Sequence, residues 1–205
     1  MTIAADCEKI TNWQDRAAYF MSGILSPFLI IPIFIYIVFS RYTNNTSEFL
    51  LYGFVALFFS TVLPFLNIFI GVKSGRITDI HVAVRGERKE PFIVSLIGIT
   101  LATLILYKLG APREINVLGL VMILNGIIFF IITLYWKISM HSSVLASVLV
   151  SLTMLVNPWF LIGSIIIPFL IWARIKRMRH SFYQGFAATV ISAGLTYLLL
   201  KSFGI

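Results

Sequence analysis

Two histidines of this chain lie close to basic residues at the boundaries of apolar segments. His180 follows Arg174 by six positions between two apolar runs, and His141 follows Lys137 by four positions. Neutral imidazole attacks phosphorus well, a guanidinium stabilises charge on phosphate oxygens, and a histidine at a helix N-terminus can protonate a leaving group. These residue types favour a shared anion site, with His180 as nucleophile and His141 as general acid. The alternative is a cluster of basic membrane anchors that contains histidines by chance.

A second group of polar residues lies upstream, before another apolar run. Arg85 and Arg88 are spaced by three and lead into Pro91, so both guanidinium groups can point the same way and clamp an oxyanion. The alternative is a solvated loop that carries positive charge only for orientation. Asp79 either hydrogen-bonds a catalytic histidine or arginine, which we favour, or offsets the charge of the loop.

The composition identifies an integral membrane protein. The 205 residues are 59% hydrophobic and only 12% charged, with a mean hydropathy of +0.96, whereas soluble domains carry about 25% charged residues. The net charge of +8 and the absence of a nucleic-acid motif indicate anionic lipid head groups and phosphorylated substrates as partners, and no nucleic acid. The single Cys7 excludes an internal disulfide.

Four apolar runs are long enough to form membrane-spanning helices, which need about 20 residues. They are Tyr19–Ser40, Phe49–Val72, Pro91–Tyr107 and Ile115–Trp136. The polar N-terminus has no basic region before a short apolar core, so no cleaved signal peptide is expected.

The apolar region that follows is interrupted by Asn157 and Pro158, and forms either one kinked helix or two helices joined by a tight turn. Because about 20 residues lie on each side, we favour two helices, Lys137–Val156 and Trp159–Met178, and a last helix over Ser181–Leu200. The prediction is an all-α bundle of about seven spans in a single domain, residues 1–205. It has six spans if Pro158 lies in one kinked helix.

Seven spans place the segments after the second, fourth and sixth helices on one side of the membrane, together with the N-terminus. These segments contain all three histidines, His81, His141 and His180. Only four of the sixteen Lys and Arg residues lie on the other side, which are Arg41, Lys108, Arg113 and Lys201. The excess predicts that the histidine side faces the cytoplasm. Three further basic residues on this side are interpreted as head-group anchors, namely Lys176, Arg177 and Arg179.

Three short motifs resemble the signatures of the type 2 phosphatidic acid phosphatase (PAP2) superfamily. Arg174 and His180, separated by five residues, are similar to its third signature, and Ser139–His141 looks like its second. The segment 79–91 looks like a variant of the first. The resemblance is to a divergent bacterial group of that superfamily and covers residues 73–194.

The resemblance implies a metal-independent phosphatase that forms a phosphohistidine and needs no cofactor. His180 would be the nucleophile and His141 the acid that protonates the leaving group. The phosphate ligands would be Arg174, Arg88, Arg85, Ser139 and, in place of a lysine of the first signature, Lys137. Gln184 occupies the position where the family usually carries a carboxylate that orients the nucleophile, and it can hold the imidazole tautomer.

The leading hypothesis is therefore hydrolysis of a lipid phosphate or polyprenyl diphosphate at the membrane boundary. One alternative is a non-catalytic protein that binds or transports lipid phosphates. A phosphatidyl- or prenyltransferase is less favoured, because the eight acidic residues form no paired Asp-rich motif for magnesium diphosphate.

Overall fold

The computed structural model describes residues 12–80, 82 and 84–205, which form helices and connecting loops. Cys7 and His81 lie outside these residues. The α-helices are α1 (Trp13–Ile24), α2 (Pro27–Tyr42), α3 (Thr46–Leu57), α4 (Leu63–Lys73), α5 (Lys89–Lys108), α6 (Arg113–Tyr135), α7 (Met140–Leu155), α8 (Ile166–Lys176) and α9 (Phe182–Ser202). A π-helical turn joins α3 to α4, and 3-10 helices lead into α5 and α8; these three are Phe58–Val62, Arg85–Arg88 and Pro158–Ile165.

Within the described residues, five helical segments are long and apolar enough to cross a membrane. They are Thr46–Lys73, Arg85–Lys108, Arg113–Tyr135, Pro158–Lys176 and Phe182–Ser202. The pair formed by α1 and α2 is a sixth candidate, bent by 44°. The predicted all-α membrane bundle is confirmed.

The first predicted span, Tyr19–Ser40, is corrected by this bend, because the helix is broken at Ser26. The Ser26 hydroxyl accepts a hydrogen bond from the Phe28 backbone N–H at 3.4 Å, and Pro27 occupies the first helical position of α2. Serine at the N-cap followed by proline is a strong helix-start signal. The same two residues therefore end α1 and start α2.

The helix α7 lies at the centre of the bundle, in contact with α2, α8 and α9. It has 16 residues and rises about 24 Å, less than the hydrocarbon thickness of about 30 Å. More than half of its residues are buried. The predicted span Lys137–Val156 is therefore corrected to a shorter, central helix.

The predicted turn at Asn157 and Pro158 is confirmed. Asn157 is extended, with φ −161° and ψ 132°, and its side chain accepts a hydrogen bond from the Trp159 backbone N–H. The chain then turns back along α7, because a Cβ built on Gly163 would lie 2.7 Å from the Leu149 side chain. A single kinked helix would hold Gly163 and Leu149 far apart, so the two-helix interpretation is correct.

The three histidine-side segments meet at one end of the bundle, as predicted. Arg179 pairs with Asp79, and the Ser139 backbone N–H donates to the Gln184 carbonyl. The helix α1 lies at the same end, where Asp15 pairs with Lys176. We call this end the site end.

The π-helical turn Phe58–Val62 ends two residues before Pro64. Proline has no N–H and its ring clashes with the carbonyl four residues earlier, so a wider turn at this point relieves the clash. The turn packs against Gly98 of α5, where a Cβ would lie 2.2 Å from the Phe59 carbonyl oxygen. Only glycine allows this approach of the two backbones.

We expect Gly98→Ala to lower the free energy of unfolding by about 1–3 kcal/mol, because the clashing atom belongs to the backbone and cannot rotate away. Thermal unfolding in detergent measures the loss. Gly53→Ala in α3 is the matched control, since a Cβ there would meet no atom within 4 Å. Equal melting temperatures for both variants would contradict the proposed contact.

Candidate functional site

His180 lies in the short loop between α8 and α9, and only 8% of its surface is exposed. The loop is shaped by Met178, which adopts a left-handed backbone with φ 49°. The backbone N–H groups of Arg179 and His180 then both donate to the Arg174 carbonyl, at 3.0 and 3.3 Å. The end of α8 therefore folds back on itself and holds the imidazole beside Arg174.

The hydrogen bonds of Gln184 fix the tautomer of His180. Gln184 Oε1 accepts the Ser181 backbone N–H at 3.1 Å, so this atom is the amide oxygen and can only accept. The same oxygen lies 3.0 Å from His180 Nδ1, which must therefore carry the proton. The neutral ring then has its lone pair on Nε2, the form required of a nucleophile.

The surroundings also keep His180 neutral. Burial, together with the positive charges of Arg174, Arg88 and Lys137, lowers the pKa of His180 from 6.5 to about 3. The hydrogen bond to Gln184 acts in the opposite direction but is outweighed. Near pH 7 the imidazole therefore carries no charge.

This low pKa makes a prediction about stability. The unfolded chain binds a proton at His180 below pH 6.5, whereas the folded chain excludes it down to about pH 3. This contribution to the free energy of unfolding is complete above pH 6.5 and is lost as the pH falls towards 3, with a slope of at most about 1.4 kcal/mol per pH unit. Melting temperatures of the wild type and His180→Gln between pH 4 and 7.5 test it. Parallel curves would contradict the prediction.

Arg174, on the last turn of α8, is 3% exposed, and its Nη1 donates to the Ser22 hydroxyl at 2.6 Å. Ser22 lies on α1 and is completely buried. The sequence analysis missed Ser22, since no local pattern connects two residues that are 152 positions apart. The helix α1 therefore contributes directly to the position of the Arg174 guanidinium.

Arg88 joins two segments of the site end. It is 7% exposed, and it donates from Nε to the Val82 carbonyl at 2.9 Å and from Nη1 to the Ile138 carbonyl at 3.1 Å. The second bond brings Arg88 next to the start of α7. Val82 has a left-handed backbone with φ 46°, which is rare for a β-branched residue and indicates strain in this loop.

Lys137 belongs to the same group of charges. Burial lowers the pKa of Lys137, and the positive charges of Arg88, Arg179 and Arg174 lower it further. The effect of Arg88, Arg179 and Arg174 on this pKa requires that their guanidinium groups lie near the Lys137 ammonium group. We call Arg88, Lys137, Arg174 and Arg179 the basic cluster.

Ser139 and His141 lie at the start of α7. Ser139 is completely buried and is the N-cap residue, and its hydroxyl lies 3.1 Å from the Ser142 hydroxyl. Its backbone N–H donates to the Gln184 carbonyl at 3.4 Å, so the N-terminus of α7 adjoins the residue that orients His180. His141 is in the first turn of α7 and is half-buried.

Two predicted residues make other contacts. Arg85 is exposed and donates to the Tyr135 carbonyl at 2.5 Å, so it braces the end of α6 and lies outside the buried cluster. Asp79 accepts a hydrogen bond from Arg179 at 2.7 Å. It therefore bonds an arginine that is the immediate neighbour of His180.

The residues interpreted as head-group anchors have partners within the protein. Lys176 pairs with Asp15 at 3.4 Å, and Arg177 is only 7% exposed and lies 4.8 Å from the centre of the Tyr19 ring. Arg179 pairs with Asp79, so all three residues bind other parts of the protein and are not simply anchors for lipid head groups. Their contacts hold α1 and the loop between α4 and α5 against the end of α8.

An apolar cavity of about 320 Å³ lies between α2, α3, α4, α5, α6, α7 and α9. Its wall at the site end includes Met140, next to His141, and Pro91, three residues after Arg88. A molecule with a charged head and an apolar chain can therefore have its head near the basic cluster and its chain in the cavity.

Within the described residues, no group of three or more His, Cys, Asp and Glu side chains is placed to hold a metal ion. No protein-family model, curated protein or solved structure matches this chain.

Proposed function

We propose that this chain is a metal-independent phosphatase of lipid phosphates or diphosphates, of the PAP2 type, which works through a phosphohistidine on His180. One observation carries the proposal. The ring of His180 is neutral, its Nδ1 proton is fixed by Gln184, and it lies among the positive charges of Arg174, Arg88 and Lys137. A phosphate attracted to these charges is brought to the lone pair of Nε2.

The proposed reaction has two displacements. The Nε2 lone pair forms a bond to phosphorus while the P–O bond to the lipid breaks, and His141 gives its proton to the departing oxygen. His141 then takes a proton from water, whose oxygen attacks phosphorus while Nε2 leaves with the bonding pair. Inorganic phosphate is released and both histidines return to their starting states.

The basic cluster would stabilise the charge on the phosphate oxygens in both displacements. Arg174 and Arg88 are buried, so their attraction for an anion is screened less than it would be in water. Lys137 and the Ser139 hydroxyl are the further proposed phosphate ligands, and Arg85, which lies outside the buried cluster, is a ligand only if it leaves the Tyr135 carbonyl. The apolar cavity supports a lipid as the substrate.

Phosphate release from a panel of lipid phosphates tests the proposal, with purified protein in detergent and with EDTA present. The panel includes a phosphatidate, a phosphatidylglycerophosphate and a polyprenyl diphosphate. We expect turnover of at least one member. Binding of these lipids without release would replace the proposal with the non-catalytic lipid-phosphate protein, and activity that depends on magnesium would favour a transferase.

We also propose that the site end faces the cytoplasm of a prokaryotic inner or plasma membrane. The support is the distribution of Lys and Arg residues, twelve of sixteen of which lie on this side of the predicted topology. Labelling of single cysteines introduced at exposed positions, in intact cells and in inverted vesicles, tests the orientation.

A further inference from the structure

One wall of the apolar cavity is polar. The cavity lining includes Asn125 from α6, Ser143 and Ser147 from α7, and Ser192 from α9. We call these four residues the polar wall. Asn125 precedes Tyr135, at the site end of α6, by ten residues and so lies about 15 Å deeper along the helix. A polar side chain at this depth in a membrane protein is a candidate functional residue.

Asn125 has an unused hydrogen-bond acceptor. Its Nδ2 donates to the Val121 carbonyl at 3.0 Å and to the Thr196 hydroxyl at 3.2 Å, so both amide hydrogens are used. Its Oδ1 is buried, and no described residue donates to it. The residue as a whole is 6% exposed. A buried amide oxygen without a donor lowers stability, so this atom is suited to a donor supplied by a ligand.

Thr196 of α9 and the other members of the polar wall hold Asn125 in place. Thr196, which accepts the amide hydrogen, also lies 2.9 Å from the Ser147 hydroxyl. Ser192 donates to the Ser143 carbonyl at 2.8 Å, which joins α9 to α7. Three helices therefore fix the orientation of the amide.

We infer that the polar wall binds a hydroxyl group carried on the apolar chain of a lipid. Asn125 Oδ1 can only accept a hydrogen bond, so its ligand must be a donor. Carboxylate, phosphate, ether and ester groups carry no hydrogen to donate and are therefore excluded as ligands of this atom. An ammonium group would bring a charge to the middle of the membrane, which is unfavourable. A hydroxyl is neutral, and the apolar remainder of the cavity accommodates the chain that carries it. The inference does not rest on hydrolysis at His180.

Binding of three fatty acids that differ at one carbon tests this inference. The ligands are 12-hydroxystearate, stearate and 12-methoxystearate. They share the carboxylate head and the chain and differ only at carbon 12, where the hydroxy ligand alone carries a hydrogen-bond donor. We expect the full-length protein in detergent to bind 12-hydroxystearate about tenfold more tightly than the other two, by displacement of a fluorescent fatty acid. Equal affinity for all three, or equal affinity for the hydroxy and methoxy ligands, would overturn the inference.

Two substitutions of Asn125 identify the polar wall as the cause of the preference. Asn125→Leu keeps the side-chain size and Asn125→Ala removes the amide without adding volume, so at least one folded variant is expected. Either variant should bind stearate as the wild type does and lose the tenfold preference. Ser95→Ala on α5 changes another polar residue of the cavity lining and should retain it. A preference that persists in both Asn125 variants would also overturn the inference.

Discussion

Replacing His180 with alanine is expected to reduce phosphate release by about 10⁴-fold or more, a loss typical of removing a catalytic nucleophile. In the proposed mechanism the Nε2 lone pair forms the bond to phosphorus, and neither buried arginine of the basic cluster can take its place. The buried arginines remain protonated and are not nucleophilic. The measurement is release of inorganic phosphate from the best lipid substrate, with EDTA present. A second readout is an acid-labile label on the protein after brief exposure to substrate with radioactive phosphorus.

The fold should survive this substitution near neutral pH. Gln184 keeps its hydrogen bonds with Ser181 in the absence of the imidazole, so the start of α9 remains capped. The variant should therefore elute as the wild type does in detergent and bind the same lipid phosphate. Arg16→Ala changes an exposed residue on α1 and should leave the rate unchanged. Phosphate release by His180→Ala at the wild-type rate would exclude the phosphohistidine mechanism.

The sequence predicts the bundle and its polar end because both depend on local patterns. Apolar runs of about 20 residues mark the spans, and the order of the spans decides which loops share a side. The contact between Arg88 and the Ile138 carbonyl joins residues 50 positions apart, yet both belong to segments that the topology places together. The start of α9 is also local, since Ser181 and Gln184 form a capping box.

That capping box explains how Gln184 can take the place of a carboxylate. Its oxygen is held by the Ser181 backbone N–H before it meets His180. The orientation of the ring therefore depends on the geometry of the helix start. A carboxylate would add charge, which stabilises an imidazolium, whereas the amide oxygen selects the tautomer and leaves the ring neutral.

The sequence does not predict the contacts that α1 makes. The apolar run continues on both sides of Ser26 and predicts one span, although Ser26 and Pro27 are a local helix-start signal. The bond from Arg174 to Ser22 depends on how α1 packs on α8, and a single buried serine has no periodicity that could reveal it. The same holds for Arg177 and Tyr19, which contact each other across the same two helices.

Arg174→Met is expected to lower kcat/KM by about 10²–10³-fold, the range seen when one preorganised donor to a transition-state charge is removed. Methionine keeps most of the aliphatic volume, so the substitution removes mainly the charge and the guanidinium donors. Arg174→Lys should recover part of the rate, because an ammonium supplies charge but cannot form the two parallel bonds of a guanidinium. Phosphate release at saturating and at low lipid concentrations separates kcat from KM.

A purely structural role for Arg174 makes different predictions for two further measurements. The charge of Arg174 helps to lower the pKa of His180, so the neutral variant should raise that pKa towards 6.5, and less stability should then be lost as the pH falls below 6.5. Ser22→Ala removes the hydroxyl that accepts from Arg174 but keeps the charge, so it should impair the rate less and leave the acid transition nearly unchanged. If Arg174→Met melts at a much lower temperature and its acid transition does not move, Arg174 stabilises the fold and is not a phosphate ligand. If stability is retained and both the rate and the transition change, the guanidinium acts on the site through its charge.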